Sequence, residues 1–168
     1  MGQNLPTRRR LLNGAMRRLA DVQSIETLIA VLRESAREIA GAQGIAVVRR
    51  DGDHVVYVAE DAIAPLWTGQ RFPIESCISG LAILDGHPIL IPDIYLDPRV
   101  PLAAYEPTFV RRLAAYPIGL MDRSMALGVY WDTPGPIDPA LSPLLASLAR
   151  FAGVTLGRVT DGRGADPG

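Results

Sequence analysis

The chain has 168 residues, of which 48% are hydrophobic and 6% aromatic, and its formal net charge is −1. This size suits one domain with one core, and the near-neutral charge argues against a nucleic-acid-binding protein with a broad basic face. The single cysteine excludes an internal disulfide framework and suits a reducing compartment. No apolar run reaches the roughly 18 residues that span a bilayer. We therefore expect a cytoplasmic protein that binds neither membrane nor nucleic acid.

Two amphipathic helices are predicted in the first part of the chain. Apolar residues recur at helical spacing between arginines, which predicts an N-terminal helix within residues 1–20. A longer apolar stripe over 25–39 predicts a second helix. Asp21 or Ser24 can cap its start, and Gly41 is placed to end it.

The periodicity then changes to that of strands. Residues 44–60 contain two β-rich runs joined by Asp51 and Gly52, a pair typical of tight hairpin turns because it tolerates positive φ. A connector with prolines and a glycine occupies 61–73. We expect a short helix to follow, with Ser76 as its cap, and then a brief strand between two prolines.

The last part of the chain alternates between loops, strands and a long helix. Three prolines make 93–107 an ordered loop with short helical turns at most. Strands are predicted within 109–120 and 124–132. Asp138 and the proline after it then predict the start of a long apolar-striped helix. The tail, 159–168, is expected to be disordered.

This order of elements predicts an α+β fold with a central antiparallel β-sheet of five or six strands. The long helices would lie on one face of the sheet. The short helix and the 93–107 loop would cover the other face and enclose a cavity against the sheet. The predicted domain covers residues 21–158, between the N-terminal helix over 1–20 and the tail.

Three segments together resemble the GAF domain family: SCISGLAILDGHPILIPDIYLDPRVP, then YEPTFVRRLAAYPI, then ALGVYW. The resemblance covers roughly residues 20–157 and is strongest to GAF domains that accompany bacterial histidine kinases. It implies a cavity for a small ligand or chromophore, dimerisation through the terminal helices, and a regulatory rather than catalytic role. We therefore expect a non-catalytic sensory module of bacterial signal transduction that binds a small molecule or a signalling partner such as a histidine kinase. The sequence identifies no cofactor.

Cys77 is the sharpest candidate for chemistry. It would lie in the first turn of the short helix, where backbone amides and the helix dipole favour a thiolate, although a free cysteine also packs well as a small apolar residue. Methionine-sulfoxide-reducing GAF proteins use further cysteines, which this chain lacks. No bilin-attachment motif or cyclic-nucleotide signature is found. A redox sensor or enzyme based on Cys77 stays an alternative to the regulatory function.

Ligand contacts are expected from aromatic and polar residues around the cavity. Tyr95 and Tyr105 lie on the loop that would cover it, and Asp93 can bond either a ligand or the local backbone. Tyr130 and Trp131 alternate along a strand, so only one of them can face the cavity. The candidate ligand-binding residues are Cys77, Ser79, Asp93, Tyr95, Tyr105, Phe109 and Tyr130. A further alternative is a GAF module with a filled cavity that serves only dimerisation or protein interaction. The two histidines are too isolated for a metal site.

Overall fold

The computed structural model describes residues 4–120 and 124–164, with side chains described as far as residue 160. Single 3₁₀ turns lie at Ile74–Ser76 and Ile94–Leu96. The helices and strands of the described residues are, in chain order, α1 (Leu5–Asp21), α2 (Ile25–Ala40), β1 (Gly44–Asp51), β2 (His54–Ala62), β3 (Arg71–Pro73), α3 (Ile78–Asp85), β4 (Ile89–Ile91), α4 (Leu102–Tyr105), β5 (Arg112–Ile118), β6 (Met125–Trp131) and α5 (Ser142–Gly164).

The strands form one six-stranded sheet in the order β3-β2-β1-β6-β5-β4, and every neighbouring pair is antiparallel. This confirms the predicted α+β fold. The hairpin between β1 and β2 turns at Gly52, whose φ of +63° is the conformation that the Asp-Gly pair predicts. The edge strand β3 lies within the predicted connector 61–73. It was not predicted, because three residues are too few to show strand periodicity.

The helices α1, α2 and α5 lie on one face of the sheet, where α2 and α5 contact the strands and α1 packs mainly against these two helices. Their buried side chains are almost all aliphatic, and Leu19, Leu32 and Leu148 have no exposed surface. Leu12 and Ala15 of α1 belong to this same core. The N-terminal helix is therefore packed together with the rest of the chain rather than apart from it.

Local sequence accounts for several helix ends. Ser24 caps α2, its hydroxyl accepting a hydrogen bond from the Thr27 amide at 3.1 Å, and Gly41 ends the helix in the left-handed conformation. The expected Ser76 cap of α3 is wrong. Ser76 closes the 3₁₀ turn before the helix, so the cap falls on Cys77, whose sulfur accepts a hydrogen bond from the Gly80 amide at 3.3 Å.

The C-terminal helix differs from its prediction at both ends. Asp138 caps a turn, its carboxylate accepting a hydrogen bond from the Ala140 amide at 2.9 Å, and α5 begins afterwards at Ser142. The helix continues to Gly164, so residues 159–164 are helical where the sequence predicts disorder. Residues 165–168 lie outside the described part of the chain.

Candidate functional site

The face of the sheet opposite the long helices is covered by α3 and by the loops on either side of it. Four aromatic side chains meet there: Tyr57 of β2, Trp67 of the β2–β3 loop, Tyr105 of α4 and Tyr130 of β6. Ring centroids lie 4.8 Å apart for Trp67–Tyr105, 5.3 Å for Trp67–Tyr130 and 5.5 Å for Tyr57–Trp67. None of the four residues is more than 5% exposed. This aromatic cluster occupies the space in which the sequence predicts a cavity.

Tyr130 reaches this space because of the glycine two residues before it. A Cβ at Gly128 would lie 2.2 Å from the Tyr130 hydroxyl oxygen, so only glycine lets the tyrosine ring lie along the strand. Trp131 points to the opposite face, where the Arg112 guanidinium lies 4.9 Å from its ring centroid. Of this adjacent pair, Tyr130 is the residue that faces α3.

Trp67 is held in the cluster by hydrogen bonds to α4 and to Glu60 of β2. Its indole N–H donates to the Ala104 carbonyl at 3.1 Å. The Glu60 carboxylate accepts hydrogen bonds from three consecutive loop amides, at 2.8 Å from Leu66, 3.1 Å from Trp67 and 2.9 Å from Thr68. Burial raises the pKa of Glu60, but these bonds and the Thr68 hydroxyl outweigh it and leave the pKa below its ordinary value. Glu60 therefore orders the loop as a carboxylate.

Buried hydroxyl groups lie beside the aromatic rings. Ser79 is 3% exposed and interacts through its hydroxyl with Tyr57 and Tyr130. Burial raises the pKa of Tyr57, Tyr105 and Tyr130 well above the ordinary value of 10. These phenols therefore stay neutral at physiological pH and can act as hydrogen-bond donors or acceptors, not as general bases.

Cys77 is buried among these groups. Burial raises the pKa of its thiol, and the hydrogen bonds from the Gly80 amide and the Tyr57 hydroxyl only partly offset that effect. The thiol is therefore protonated at neutral pH. A protonated thiol is a poor nucleophile, because the thiolate is the reactive form. With 4% of its surface exposed, Cys77 is also poorly accessible to a substrate.

The structure brings together four of the seven candidate residues, namely Cys77, Ser79, Tyr105 and Tyr130. Phe109 lies at the margin of this core, close against Gly44.

The two remaining candidates lie outside the cluster. Tyr95 is 48% exposed, and the Arg111 guanidinium lies 4.9 Å from its ring centroid. Asp93 caps its own 3₁₀ turn by accepting a hydrogen bond from the Tyr95 amide at 3.0 Å. Asp93 therefore stabilises the loop itself, and the turn after it directs Tyr95 toward solvent.

Sequence reasoning missed Tyr57, Glu60 and Trp67. Tyr57 follows the alternation of β2, and its inward direction becomes informative only when the sheet order is known. Trp67 falls in the predicted connector 61–73. A tryptophan in such a connector is a signal, because so large an apolar side chain is rarely left in solvent.

Neither a metal-ligand cluster nor a membrane-spanning helix is found among the described residues. In 4–120 and 124–164, no three His, Cys, Asp or Glu side chains are placed to hold a metal ion together. Within the same ranges, none of the helices has the length and apolar character needed to cross a membrane.

The chain resembles solved structures in fold at low sequence identity. No protein-family model matches it, and no curated protein does. The GAF domain of a phosphoenolpyruvate-protein phosphotransferase from Coxiella burnetii has a TM-score of 0.80 at 14% identity, covering 96% of this chain and 99% of that one. Free methionine-R-sulfoxide reductase from Neisseria meningitidis, solved with its substrate, has a TM-score of 0.78 at 17% identity, covering 96% and 95%.

A third similar structure is the chromophore-binding domain of a bacteriophytochrome from R. palustris. It has a TM-score of 0.74 at 18% identity, covering 91% of this chain and 62% of that longer one. The six-stranded antiparallel sheet between three long helices and one short helix defines a two-faced α+β domain. This chain has the GAF fold.

Proposed function

We propose that this chain is a non-catalytic regulatory GAF module of bacterial signal transduction that acts by associating with other proteins. The observation that carries the proposal is the aromatic cluster, which fills the space where a GAF ligand would be expected. A small molecule in that space would have to displace Trp67 and break its hydrogen bond to the Ala104 carbonyl. The buried phenols and the protonated Cys77 offer neither an accessible nucleophile nor a base.

Native mass spectrometry of the protein purified from its own host tests the filled interior. We expect no co-purified small molecule whose binding depends on the residues of the aromatic cluster. A co-purified pigment, nucleotide or other ligand that is lost on substituting Ser79→Leu or Tyr105→Ala would contradict this part of the proposal. It would favour a ligand-binding sensor, with Cys77, Ser79, Tyr105 and Tyr130 around the ligand.

The proposed association includes a homodimer formed through α1 and α5, and a histidine kinase or another cytoplasmic signalling protein as partner. Much of the apolar surface of both helices is buried within the chain, but Val154 of α5 remains 73% exposed. Sedimentation equilibrium is expected to give twice the mass of one chain. A monomer at high micromolar concentration would rule out the homodimer. Association with a different protein would then be the only form of the proposal that remains.

A redox sensor or enzyme based on Cys77 is the second candidate function. It is favoured by the similarity in fold to a protein named as a free methionine-R-sulfoxide reductase. Against it stand the burial of Cys77, the raised pKa of its thiol, and the single cysteine of the chain. We expect iodoacetamide to alkylate Cys77 more slowly in the folded chain than in the urea-unfolded chain at pH 7. Rapid oxidation by peroxide, or reduction of free methionine-R-sulfoxide lost on Cys77→Ser, would support the second candidate instead.

A further inference from the structure

A cavity lies at one edge of the sheet, between α5, the open edge of β5 and the turn after α3, where Gly86 and Pro88 line it. Its volume is about 730 Å³. The edge is open because β4 stops pairing at Ala115, while β5 continues to Ile118. Pro117, on the unpaired part, has no N–H to offer to a further strand.

The floor of this α5 groove is made by small residues of the helix. Ala146, Ala149, Gly153 and Gly157 line it and leave space beside β5. Gly153 is required by the close approach of the turn after β5, because a Cβ there would lie 2.7 Å from the Gly119 nitrogen. At Gly157, in contrast, no atom lies within 4 Å of an added Cβ. The groove is therefore closed at Gly153 and open at Gly157.

The size and lining of the α5 groove suit an apolar ligand. Its volume falls within the range of small-molecule sites, roughly 300–1,000 Å³. The lining residues of α5 run from Ala146 to Thr160, which corresponds to about 21 Å of helix. Leu120 and Val154, on its rim, are 83% and 73% exposed. An apolar chain lying along α5 would remove both from water.

One charge accompanies this apolar surface. Arg150 is the only charged side chain among the described residues that line the groove. It donates to the Ser147 hydroxyl at 3.4 Å, and its guanidinium forms no ion pair within the described part of the chain. The groove therefore offers one positive group to an otherwise apolar occupant. An anionic head group on that occupant would be complementary to it.

We propose that the α5 groove binds an amphipathic carboxylate, with its hydrocarbon chain along α5 and its carboxylate at Arg150. A hydrocarbon chain fits better than an extended peptide, because only the short open edge of β5, interrupted by Pro117, could pair with a peptide backbone. The backbone groups of α5 are already bonded within the helix, and Pro117 lacks a donor at the strand edge. The proposal concerns a different part of the molecule from the aromatic cluster, but it shares Val154 of α5 with the proposed homodimer surface. The oligomeric mass is therefore measured together with ligand binding.

Titration calorimetry of the full chain with dodecanoate, below its micellar concentration, tests the groove. The variant Gly157→Leu places a side chain in the open space without straining the helix, and we expect it to weaken binding about tenfold or more. The matched control is Gly14→Leu, at a helix position of α1 where an added Cβ also meets nothing within 4 Å. It should bind dodecanoate like the original chain. Melting temperatures of both variants verify that they are folded.

A second pair of variants tests the charge. Arg150→Gln should weaken the binding of dodecanoate about fivefold, which is the effect expected from losing an exposed ion pair. It should leave the binding of dodecanol unchanged. Arg9→Gln, an exposed arginine of α1, is the matched control and should change neither. Failure of dodecanoate to bind, or equal binding by the Gly157→Leu variant, would overturn the proposal. So would a change of oligomeric mass in that variant without dodecanoate binding, since the groove would then hold a second copy or a partner helix.

Discussion

On the face of the sheet covered by α1, α2 and α5, the core consists mainly of Leu, Ile, Val and Ala side chains, and Tyr116 and Trp131 are its buried aromatic residues. On the α3-covered face, four aromatic rings lie together with the hydroxyl of Ser79 and the thiol of Cys77. The helix-side core has one buried phenol, Tyr116, whose hydroxyl forms a single hydrogen bond of 3.0 Å with Ser142. The α3-side core has three phenols near one another.

This difference shows that the two faces are specified in different ways. The hydrophobic effect is non-directional, so many combinations of Leu and Ile side chains could fill the core beneath α1, α2 and α5. The α3 side depends on particular close approaches. Gly80 must lack a Cβ because one would lie 1.9 Å from the Ile74 carbonyl oxygen, and Gly128 must lack one to admit the Tyr130 ring. Shape therefore matters more on the α3 side than on the helix side.

The largest expected effect is that of Trp67→Ala. Losing a buried indole and its hydrogen bond to Ala104 should lower the free energy of unfolding by about 3–5 kcal/mol, as truncation of buried aromatic residues does. Leu32→Ala, a fully buried position on the helix side, is the matched comparison and should cost about 2–5 kcal/mol. Urea denaturation measures both. A loss below about 1 kcal/mol for Trp67→Ala would mean that the α3 side is a cover over a cavity and not a packed core.

A smaller effect is expected from Gly80→Ala. The added methyl group would displace α3 from the 3₁₀ turn before it, which should cost about 1–3 kcal/mol as overpacking does. Gly157→Ala, also within a helix but in open space, should instead stabilise the chain by about 0.5–1 kcal/mol. Thermal denaturation of the two variants should therefore show shifts of opposite sign. Equal shifts would indicate that α3 can move at little cost.

The smallest expected effect, and the one that depends on pH, is that of Glu60→Gln. A neutral amide has one acceptor oxygen for the loop amides, so we expect a loss of about 1–2 kcal/mol at pH 7. The pKa of Glu60 is lower in the folded chain than in the unfolded chain. The contribution of Glu60 to the free energy of unfolding is therefore complete above its ordinary pKa of 4.5, and it is lost as the pH falls through the lower pKa of the folded chain. Urea denaturation over a series of pH values should show the greatest difference between the two proteins at pH 7 and a difference that shrinks as the pH falls below 4.5. A constant difference would show that the charge of Glu60 does not matter.

The parts of the fold that could be predicted are those encoded by nearby residues. The start and end of α2 follow from Ser24 and Gly41, and the hairpin turn follows from Gly52, because each acts within a few residues of itself. Trp67 could not be placed in this way. Its position depends on Glu60 and on Ala104, which lies 37 residues further along the chain.

For the candidate site, the sequence indicated which elements cover the sheet. It did not indicate that aromatic side chains occupy the space beneath them. Cys77, Ser79, Tyr105 and Tyr130 do lie beneath the cover, whereas Tyr95 lies on its outer surface. The direction of Tyr95 depends on the backbone of the turn after Asp93, and a one-residue change in such a turn would move the side chain from one side to the other. The α5 groove had no sequence signal, because small residues on a helix are equally compatible with close packing.

The sequence by itself determined the α+β class, the antiparallel sheet and the side on which the long helices lie, because hydrophobic periodicity and capping residues act locally and repeat along the chain. Only the tertiary structure decided that the space beneath α3 is occupied by Tyr57, Trp67, Tyr105 and Tyr130, and that an open cavity lies beside α5 instead. Whether a space is filled depends on side chains that come from four separate elements. Their meeting is a property of packing in three dimensions, which the order of residues along the chain does not express.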